Sequence, residues 1–308
     1  MIIVIGDVHF KHSQPFLKKT IEFFDWLYET YPEAILVQTG DFFDTSSPHS
    51  ESVVDIALSH LLKFKEIHII TGNHELSNRV GNPLVPLNRF DKIHIYTRSE
   101  QVTIEGYKFL MLPFLYNIKA MKEQYEDTYG QYDYVVSHVA YPGTNFGSPD
   151  EINLSNIQAK AYLYGHIHEA MDKPNNHHII GVPVTTRHGE QDWKKRLFII
   201  NENTISENII PNFLNFETIN FGEEPKDKEA ILNVKNAPSV KAVIEMYKGL
   251  HVRLTGISLI GEVEAISYNE QKELLNFSLE KNFNEFSKNM EIRPPVQDKI
   301  LELFQKIA

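Results

Sequence analysis

Five short polar motifs in this sequence place aspartate, asparagine or histidine directly after an apolar run. Together they supply seven side chains that can bind metal ions, namely Asp7, His9, Asp41, Asn73, His138, His166 and His168. Carboxylate oxygens, imidazole nitrogens and one amide oxygen suit manganese, magnesium, iron or zinc in a catalytic site open to solvent. The set has the right chemistry for a pair of divalent ions about 3.5 to 4 Å apart, with one carboxylate shared between them.

We assign Asp41 as the shared ligand, since it follows an apolar run and lies where a buried strand would reach a loop. The first ion would also be bound by Asp7, His9 and His168. The second ion would also be bound by Asn73, His138 and His166. Because His166 and His168 are two residues apart, an extended segment would project both in one direction, whereas a loop could splay them toward neighbouring ions.

Each motif alone also has a purely structural interpretation. An Asp-x-His pair such as Asp7 and His9 belongs more often to an ordinary loop than to a metal site. The Gly-Asn-His segment can be a turn, and His166 with His168 can be surface histidines. Their recurrence in one chain, each at the end of an apolar run, favours a common site.

The elements that must position these motifs alternate between strands and helices. In chain order, apolar runs and helical spacing predict strand 1–5, helix 15–31, strand 34–37, helix 50–64 and strand 66–70. This alternation is typical of βαβ units and a largely parallel sheet, in which ligands lie at the carboxyl ends of the strands. A polar motif follows each of these three strands.

The middle of the chain continues with short strands around one helix. In chain order the sequence predicts strand 93–96, hairpin 102–111, helix 118–129 and strands 132–137, 162–164, 177–182, 196–200 and 205–210. Residues 141–157 form a long segment rich in Gly, Pro, Asn and Ser. A loop of that length in a compact domain is typical of a functional segment.

The pattern changes after Pro211. Strand 213–221, helix 239–247 and strand 251–257 predict a small α+β unit. Two amphipathic helices are predicted over 270–290 and 295–307. We therefore expect three parts, at 1–210, 211–269 and 270–308.

Composition limits the chemistry further. The chain has 308 residues, 14 histidines and no cysteine, which excludes disulfides, thiolate zinc sites and cysteine nucleophiles. The N-terminus has neither a basic region nor an apolar run long enough for a signal peptide, so we expect a cytoplasmic protein without a membrane anchor. A net charge of −11 argues against binding nucleic acid by bulk electrostatics alone. Divalent cations or a partner subunit could supply positive charge locally.

The motifs in this order resemble the calcineurin-like metallophosphoesterase superfamily. The resemblance covers roughly residues 1–210 and depends on five blocks: Asp7-x-His9, Gly40-Asp41-x-x-Asp44, Gly72-Asn73-His74-Glu75, His138 and Gly165-His166-x-His168. It implies an α/β fold, a two-sheet sandwich with a dinuclear metal centre at one edge. It also implies two-metal hydrolysis of phosphate esters, with Mn²⁺ as the expected ion and Mg²⁺ as an alternative.

Two further segments resemble SbcD-type nucleases, the nuclease subunits of a DNA double-strand-break repair complex that include bacteriophage members. They are the block at 40–48 and the strand-turn segment at 180–186 with 196–199. Protein phosphatases instead carry Asp-Arg-Gly after the second block and an arginine before Gly-Asn-His-Glu. Here those positions read Asp44-Thr45-Ser46 and Ile70-Thr71, although Glu75 is more usual in phosphatases and Val8-His9-Phe10 departs from the nuclease Trp-His-Leu.

The nuclease resemblance implies further roles for this chain. It implies 3′→5′ exonuclease activity on duplex ends, endonuclease activity on single strands, and protonation of the leaving oxygen by His74. Residues 211–269 would form a capping domain, and the C-terminal helices would bind an SMC-like ABC ATPase of the SbcC type. We also expect DNA as a partner and a homodimer. The alternatives are a stand-alone metallophosphatase for a phosphoprotein or nucleotide, and a catalytically silent scaffold.

Three polar segments have open interpretations. Asp44 could orient His9 or His74, or cap the following turn. Arg187 and His188 could contact substrate or lie in an exposed turn. The dense basic run at 194–196 could touch a DNA backbone or form a solvated loop.

Overall fold

The computed structural model describes residues 1–11, 13–45, 51–76, 82–144, 149–253 and 257–259, with the backbone alone for 51 and 52. In chain order its strands are β1 (Ile2–Ile5), β2 (Ile35–Gln38), β3 (Glu66–Ile70), β4 (Ile93–Tyr96), β5 (Glu100–Ile104), β6 (Tyr107–Leu112), β7 (Gly130–Ser137), β8 (Ile157–Tyr164), β9 (Met171–Lys173), β10 (His177–Ile179), β11 (Arg196–Asn201), β12 (Thr204–Ile209), β13 (Phe216–Asn220), β14 (Ile231–Lys235) and β15 (His251–Val252). The α-helices are α1 (Phe16–Thr30), α2 (Glu51–Leu61), α3 (Ile118–Glu126) and α4 (Val240–Met246).

Two six-stranded mixed sheets form the larger part of the described chain. The first has the order β12-β11-β1-β2-β3-β4, with β1 to β4 parallel and β11 and β12 antiparallel to their neighbours. The second has the order β5-β6-β7-β8-β10-β9, with a parallel centre and antiparallel edges. Strands β1 and β2 are buried along their whole length, which explains their continuous apolar sequences.

The two sheets pack face to face around one apolar layer. Buried side chains from both sheets fill it, among them Val4, Val37, Phe109, Val136 and Leu163. Helix α1 covers the outer face of the first sheet with Phe23, Phe24 and Leu27, whereas α3 packs on the second sheet through Met121 and Tyr125. The predicted α/β two-sheet sandwich is therefore confirmed.

The structure differs from the sequence-based prediction at several boundaries. Helix α3 ends at Glu126 rather than at 129, and β8 begins at Ile157 rather than at 162. Strand β9 was not predicted, because Met-Asp-Lys has no alternation from which a strand could be inferred. Strand β14 was also missed, because its short run Ile-Leu-Asn-Val-Lys follows a charged segment.

A third, smaller sheet follows the sandwich. It consists of β13, β14 and β15, all parallel, with α4 and its own core around Leu232 and Val243. Of the strand predicted over 251–257, the described residues form only the short strand β15. The predicted helices at 270–290 and 295–307 lie outside the described residues, and the division into three domains stays a prediction. Within the described part of the chain, no helix is long and apolar enough to cross a membrane.

Contacts tie the third sheet to the sandwich. The ring of Phe213, just before β13, lies 6.0 Å from the rings of both Phe23 and Trp26 on α1. Glu229 pairs with Lys18, at 2.6 Å, and with Lys19 of the same helix. The side chains of Phe216 and Ile231 belong to the apolar cluster beneath α1, so the sandwich and the third sheet share buried surface.

Candidate metal centre

Five loops meet at one edge of the sandwich, and each follows the carboxyl end of a strand in a parallel pair. Three of these strands, β1, β2 and β3, belong to the first sheet, and β7 and β8 belong to the second. Parallel strands end at a common edge, so loops far apart in sequence converge there. The structure brings all seven residues proposed as metal ligands together at this edge.

The first donor group combines Asp7, His9 and His168. One ligand atom from each of these residues lies within 4.8 Å of the others. The Nε2 atoms of His9 and His168 face each other at 3.0 Å. The Asp7 side chain is fully buried, and its Oδ2 has no hydrogen-bond partner in the described structure. These atoms are arranged as ligands of a single ion would be.

The second donor group combines Asp41, His138 and His166 with the amide of Asn73. Oδ1 of Asn73 lies 3.0 Å from His138 Nε2 and 2.9 Å from His166 Nδ1. Asp41 Oδ2 lies 3.2 Å from His138 Nε2. The same oxygen lies 3.8 Å from His9 Nε2 in the first group. Asp41 is therefore the carboxylate that faces both donor groups, as a shared ligand must.

Hydrogen bonds on the outer side of three imidazoles fix which nitrogen faces the centre. His138 Nδ1 donates to the carbonyl of Thr39 at 2.6 Å, so its Nε2 faces the centre. His168 Nδ1 contacts Glu190 Oε1 at 2.7 Å, and His166 Nε2 contacts Asp150 Oδ2 at 2.6 Å. A carboxylate or carbonyl that accepts from one ring nitrogen is the usual support of a metal-binding histidine.

Glu190 and Asp150 were not identified from the sequence. Burial alone would raise the pKa of Glu190, but contacts with His168 and Thr186 outweigh it and lower the pKa to about 2. The carboxylate is therefore ionised and can hold the imidazole in place. Asp150 lies in the 141–157 loop that was predicted to be functional, and that prediction is the only sequence signal that bears on either residue.

The charge of the site also favours bound cations. Burial raises the pKa of Asp7 well above its usual range, and Asp41 adds to that effect. Burial would lower the pKa of His138, but Asp41 outweighs it and raises the pKa to about 10. Among the described residues, Asp7 and Asp41 form ion pairs only with histidines. Divalent ions would take over the charge balance that a protonated His138 otherwise provides, and they fit this donor set.

Backbone strain is concentrated in these loops. His9, Asp41 and His166 have φ values of 47°, 53° and 71°, in the left-handed region that side chains with a Cβ rarely adopt. At Gly72 and Gly165, an added Cβ would lie 2.1 Å from Asp41 Oδ1 and 2.4 Å from Asp7 Oδ1. Strain of this kind persists only where the surrounding structure enforces it, which is common at functional sites.

Glu75 supports the loops rather than the metals. Its buried carboxylate accepts hydrogen bonds from the backbone nitrogens of Asp41, Phe43 and Gly72 at 3.1, 2.8 and 2.8 Å. Burial raises the pKa of Glu75 to about 8, and the nearby charge of Asp41 adds to this effect. The side chain thereby joins the loops after β2 and β3, which carry Asp41 and Asn73.

His74 and Asp44 lie beside the centre. The backbone nitrogen of His74 donates to Asp41 Oδ1 at 2.8 Å, and its Nδ1 donates to the Asp44 carbonyl at 2.5 Å. Its ring packs edge-on against that of His9, with centroids 4.6 Å apart. The Asp44 carboxylate lies 3.4 Å from His9 Nδ1 and 3.3 Å from Lys11 Nζ. Asp44 thus contacts His9 through its side chain and His74 through its backbone.

Arg187 and His188 lie in the turn that precedes Glu190. Arg187 is 63% exposed, and its Nε donates to Glu190 Oε1 at 2.8 Å. It lines a cavity of about 410 Å³ that also borders Lys11 and Arg253. The ring of His188 packs against Phe216 of the third sheet, at 5.6 Å between centroids.

Two residues of the basic run at 194–196 are buried and have neither of the roles considered from the sequence, whereas Lys194 is 45% exposed and pairs with Glu207. Arg196 is 1% exposed and donates to the carbonyls of Met171 and Ile179. Lys195 is also buried and donates to the Glu190 carbonyl at 2.8 Å. Burial lowers the pKa of Lys195 to about 8. Arg196 and Lys195 therefore hold strands and loops together and cannot touch a DNA backbone.

A comparison with protein families agrees with this geometry. The model of the calcineurin-like phosphoesterase family matches residues 1–170. No curated protein matches the chain significantly. A solved structure described as that of a novel archaeal phosphodiesterase is similar over 68% of this chain and 98% of its own, with 16% identity and a TM-score of 0.38. Because the family model covers more than half of the sequence, the chain belongs to the calcineurin-like phosphoesterase family.

Proposed function

We propose that this protein is a metal-dependent DNA nuclease, the SbcD-type subunit of a recombination and repair complex. The reaction would be hydrolysis of phosphodiesters, 3′→5′ from duplex ends and internally on single strands. The observation that carries the proposal is the position of Asp41 Oδ2, which faces a donor group on either side, at 3.8 Å from His9 and 3.2 Å from His138. Divalent ions in such a site activate water and offset the charge that develops at phosphorus.

Neighbouring residues hold and orient the side chains that would bind the ions. Asp41 is fixed from three directions, because its carboxylate accepts from His74 and contacts His138, while its backbone nitrogen donates to Glu75. Glu190 and Asp150 hold the rings of His168 and His166. The donors are therefore positioned before substrate arrives, which removes most of the reorganisation from the reaction.

His74 would supply the proton to the leaving oxygen. Its Nδ1 is occupied by the Asp44 carbonyl, so Nε2 is the nitrogen that can reach a substrate atom. The ring is held against His9 beside the centre without belonging to either of the two donor groups. An imidazole in that position can act as a general acid, a role worth about 10²- to 10⁴-fold in rate.

Two positions favour a phosphodiester over a phosphomonoester. A phosphomonoester carries nearly two negative charges near neutral pH, whereas a diester carries one. The arginines that bind this extra charge in phosphatases are replaced by Thr45 and by the Ile70-Thr71 pair, and Ile70 is buried between the sheets. Glu75, the one residue that favoured a phosphatase, is engaged by three backbone amides. The stand-alone metallophosphatase is therefore the weaker alternative.

The cavity between the sandwich and the third sheet supports an extended anionic substrate. Three cationic side chains border it, those of Lys11, Arg187 and Arg253. Lys11 also contacts Asp44, which connects the cavity to the metal centre. Phosphates flanking the scissile bond could bind there, because phosphate contacts come from lysine and arginine. Residues 211–269 would then act as the cap that narrows access to the metals.

The principal test uses end-labelled linear duplex DNA with Mn²⁺, Mg²⁺ or EDTA. We expect release of mononucleotides from 3′ ends with Mn²⁺, and a loss of about 10²-fold or more in the His74→Ala variant. The control is His60→Ala on α2, whose side chain bonds within its own helix at the Ile56 carbonyl. A phosphopeptide is included as the competing substrate. Hydrolysis of the phosphopeptide while the DNA stays intact would favour the stand-alone metallophosphatase instead.

The partner is tested separately. Residues 270–308 would bind an SMC-like ABC ATPase, since the two amphipathic helices that the sequence predicts there would suit docking into a partner's groove. We expect a chain truncated after residue 269 to lose co-purification with the ATPase and to keep its metals. Unchanged association would remove these residues from the interface.

A further inference from the structure

A second cluster of potential metal ligands lies away from the centre, on the first sheet. Glu66 and His68 belong to β3, and His94 belongs to β4, the edge strand of that sheet. His68 and His94 are paired in register. Glu66 and His68 are two residues apart on one strand, so the three side chains share one face of the sheet. One ligand atom from each lies within 4.8 Å of the others.

The contacts within this cluster are close. Glu66 Oε1 lies 2.9 Å from His94 Nε2 and 3.3 Å from His68 Nε2. The two imidazole rings stack at 4.8 Å with an interplanar angle of 22°. Ligands around a tetrahedral Zn²⁺ with bonds of about 2.0 to 2.1 Å are separated by about 3.3 Å, which these contacts nearly match. Small side-chain movements would complete the geometry.

A buried nitrogen that makes no hydrogen bond also points to a ligand. His68 is only 5% exposed, and its Nε2 makes no hydrogen bond in the described structure. Its other nitrogen, Nδ1, is occupied by Tyr96 Oη at 2.8 Å. Because Tyr96 occupies Nδ1, Nε2 is the ring nitrogen that faces Glu66. A buried nitrogen of this kind is normally satisfied, and a metal ion would satisfy it.

We propose that Glu66, His68 and His94 bind one Zn²⁺ ion, in a site separate from the catalytic centre. Two imidazoles and one carboxylate form a donor set typical of zinc, with the fourth position open to solvent. The side chains of Glu66 and His94 are 37% and 39% exposed, which gives the ion an entry path. Burial lowers the pKa of His68 to about 3, so its imidazole is neutral and needs no deprotonation before binding.

Binding of the ion would also stabilise the pairing of β3 with β4. The ion would join β3 to β4 by their side chains, in addition to the four paired positions of their backbones. Because β4 is an edge strand, this link would oppose its separation from the sheet. The site would select Zn²⁺ over Mn²⁺, since imidazole-rich sites rank zinc above manganese.

The test measures zinc content and thermal stability of the full-length protein. Metal-free protein is loaded with Zn²⁺, desalted and analysed for metal. We expect about three ions per chain in the wild type and about two in His94→Gln and Glu66→Gln, with the remaining ions at the centre. The control is His60→Gln, because His60 lies 3.3 Å from the Asp25 carboxylate and belongs to no group of potential metal ligands among the described residues. This control should bind as many ions as the wild type.

A second readout does not depend on counting ions. With Mn²⁺ kept at saturation, addition of Zn²⁺ should raise the melting temperature of the wild type and of His60→Gln by about 3 °C or more. His94→Gln and Glu66→Gln should show no such increase. The proposal is overturned if the wild type binds only about two zinc ions, or if both variants keep the third ion and the thermal shift.

Discussion

Strand β3 carries two groups of polar residues, and they differ in how the fold builds them. Asn73, past the carboxyl end of β3, meets His138 and His166 from the loops after β7 and β8, in a region where three of the ligands have left-handed backbone. Glu66 and His68 lie within β3 itself and meet only His94 of the neighbouring strand, in regular paired backbone. Loops can bring donors from both sheets around two ions, whereas a flat pair of strands offers three donors on one face.

This contrast predicts that substitutions in the two groups of residues affect different properties of the protein. Glu66 is the first residue of β3, and Ile70 is the last residue before the loop that carries Asn73. Four residues of strand at roughly 3.3 Å each separate them by about 13 Å, so the metal centre and the cluster of Glu66, His68 and His94 do not share ligands. Changes at the metal centre should abolish catalysis. Changes at the β3–β4 cluster should affect stability and zinc binding alone.

The largest effect is expected for Asp41→Asn. Removing the charge of the shared ligand should weaken both donor groups, because Asp41 Oδ2 faces each of them. A loss of about 4 kcal/mol of transition-state stabilisation corresponds to about a 10³-fold fall in rate. Rate and manganese content are measured together, with Asp25→Asn on α1 as the control. Full activity with both ions retained would refute the shared-ligand assignment.

The next largest effect is expected for Glu190→Gln and Asp150→Asn. Each variant replaces the carboxylate that holds a metal-binding imidazole, so manganese affinity should fall by about 10- to 100-fold. Titration of activity with Mn²⁺ gives that affinity. Asp25→Asn is the control, because Asp25 contacts His60 at 3.3 Å outside the centre. If Asp25→Asn weakens manganese binding as much, the two carboxylates have no special role.

A moderate effect is expected for the pH dependence of stability. The pKa of His68 is lowered to about 3 in the native state, against about 6.5 when unfolded. Between these values only the unfolded state binds the proton, so the native state loses stability as pH falls below about 6.5. From pH 6.5 to 5 this group should cost about 2 kcal/mol.

The His68→Gln substitution should remove this contribution to the change of unfolding free energy with pH. Urea unfolding in EDTA, at several pH values, compares the variant with the wild type. Identical pH slopes for the two proteins would show that His68 does not contribute.

The smallest effect is expected for Glu66→Gln on catalysis. Hydrolysis by the manganese-loaded variant should remain within about twofold of the wild type, because surface substitutions away from a site change little. A large loss of activity would show that the β3–β4 cluster is coupled to the centre.

The sequence was sufficient for the ligands that follow strands and insufficient for residues that depend on tertiary pairing. Asp7, Asp41 and Asn73 were recognisable because each follows an apolar run that ends at a common sheet edge. Glu190 reaches His168 across a turn that no local pattern specifies. His68 and His94 meet only because of the register between β3 and β4, which neither strand's alternation encodes.

The basic run at 194–196 is another case in which sequence composition did not reveal the tertiary contacts. Its composition is typical of a surface segment, yet Arg196 is buried. It is stabilised there by the carbonyls of Met171 and Ile179 and by the carboxylates of Asp172 and Glu207, the nearest of these residues being 11 positions away in sequence. A buried charge requires such partners, and only the fold supplies them.

Electron paramagnetic resonance of the manganese-loaded protein tests the central claim most directly. The His94→Gln variant is used, so that the β3–β4 cluster cannot contribute a signal. If Asp41 joins two ions, the spectrum should show a magnetically coupled pair that disappears in the double variant with Asp41→Asn. A spectrum of isolated Mn²⁺ at full hydrolytic activity would contradict the dinuclear centre.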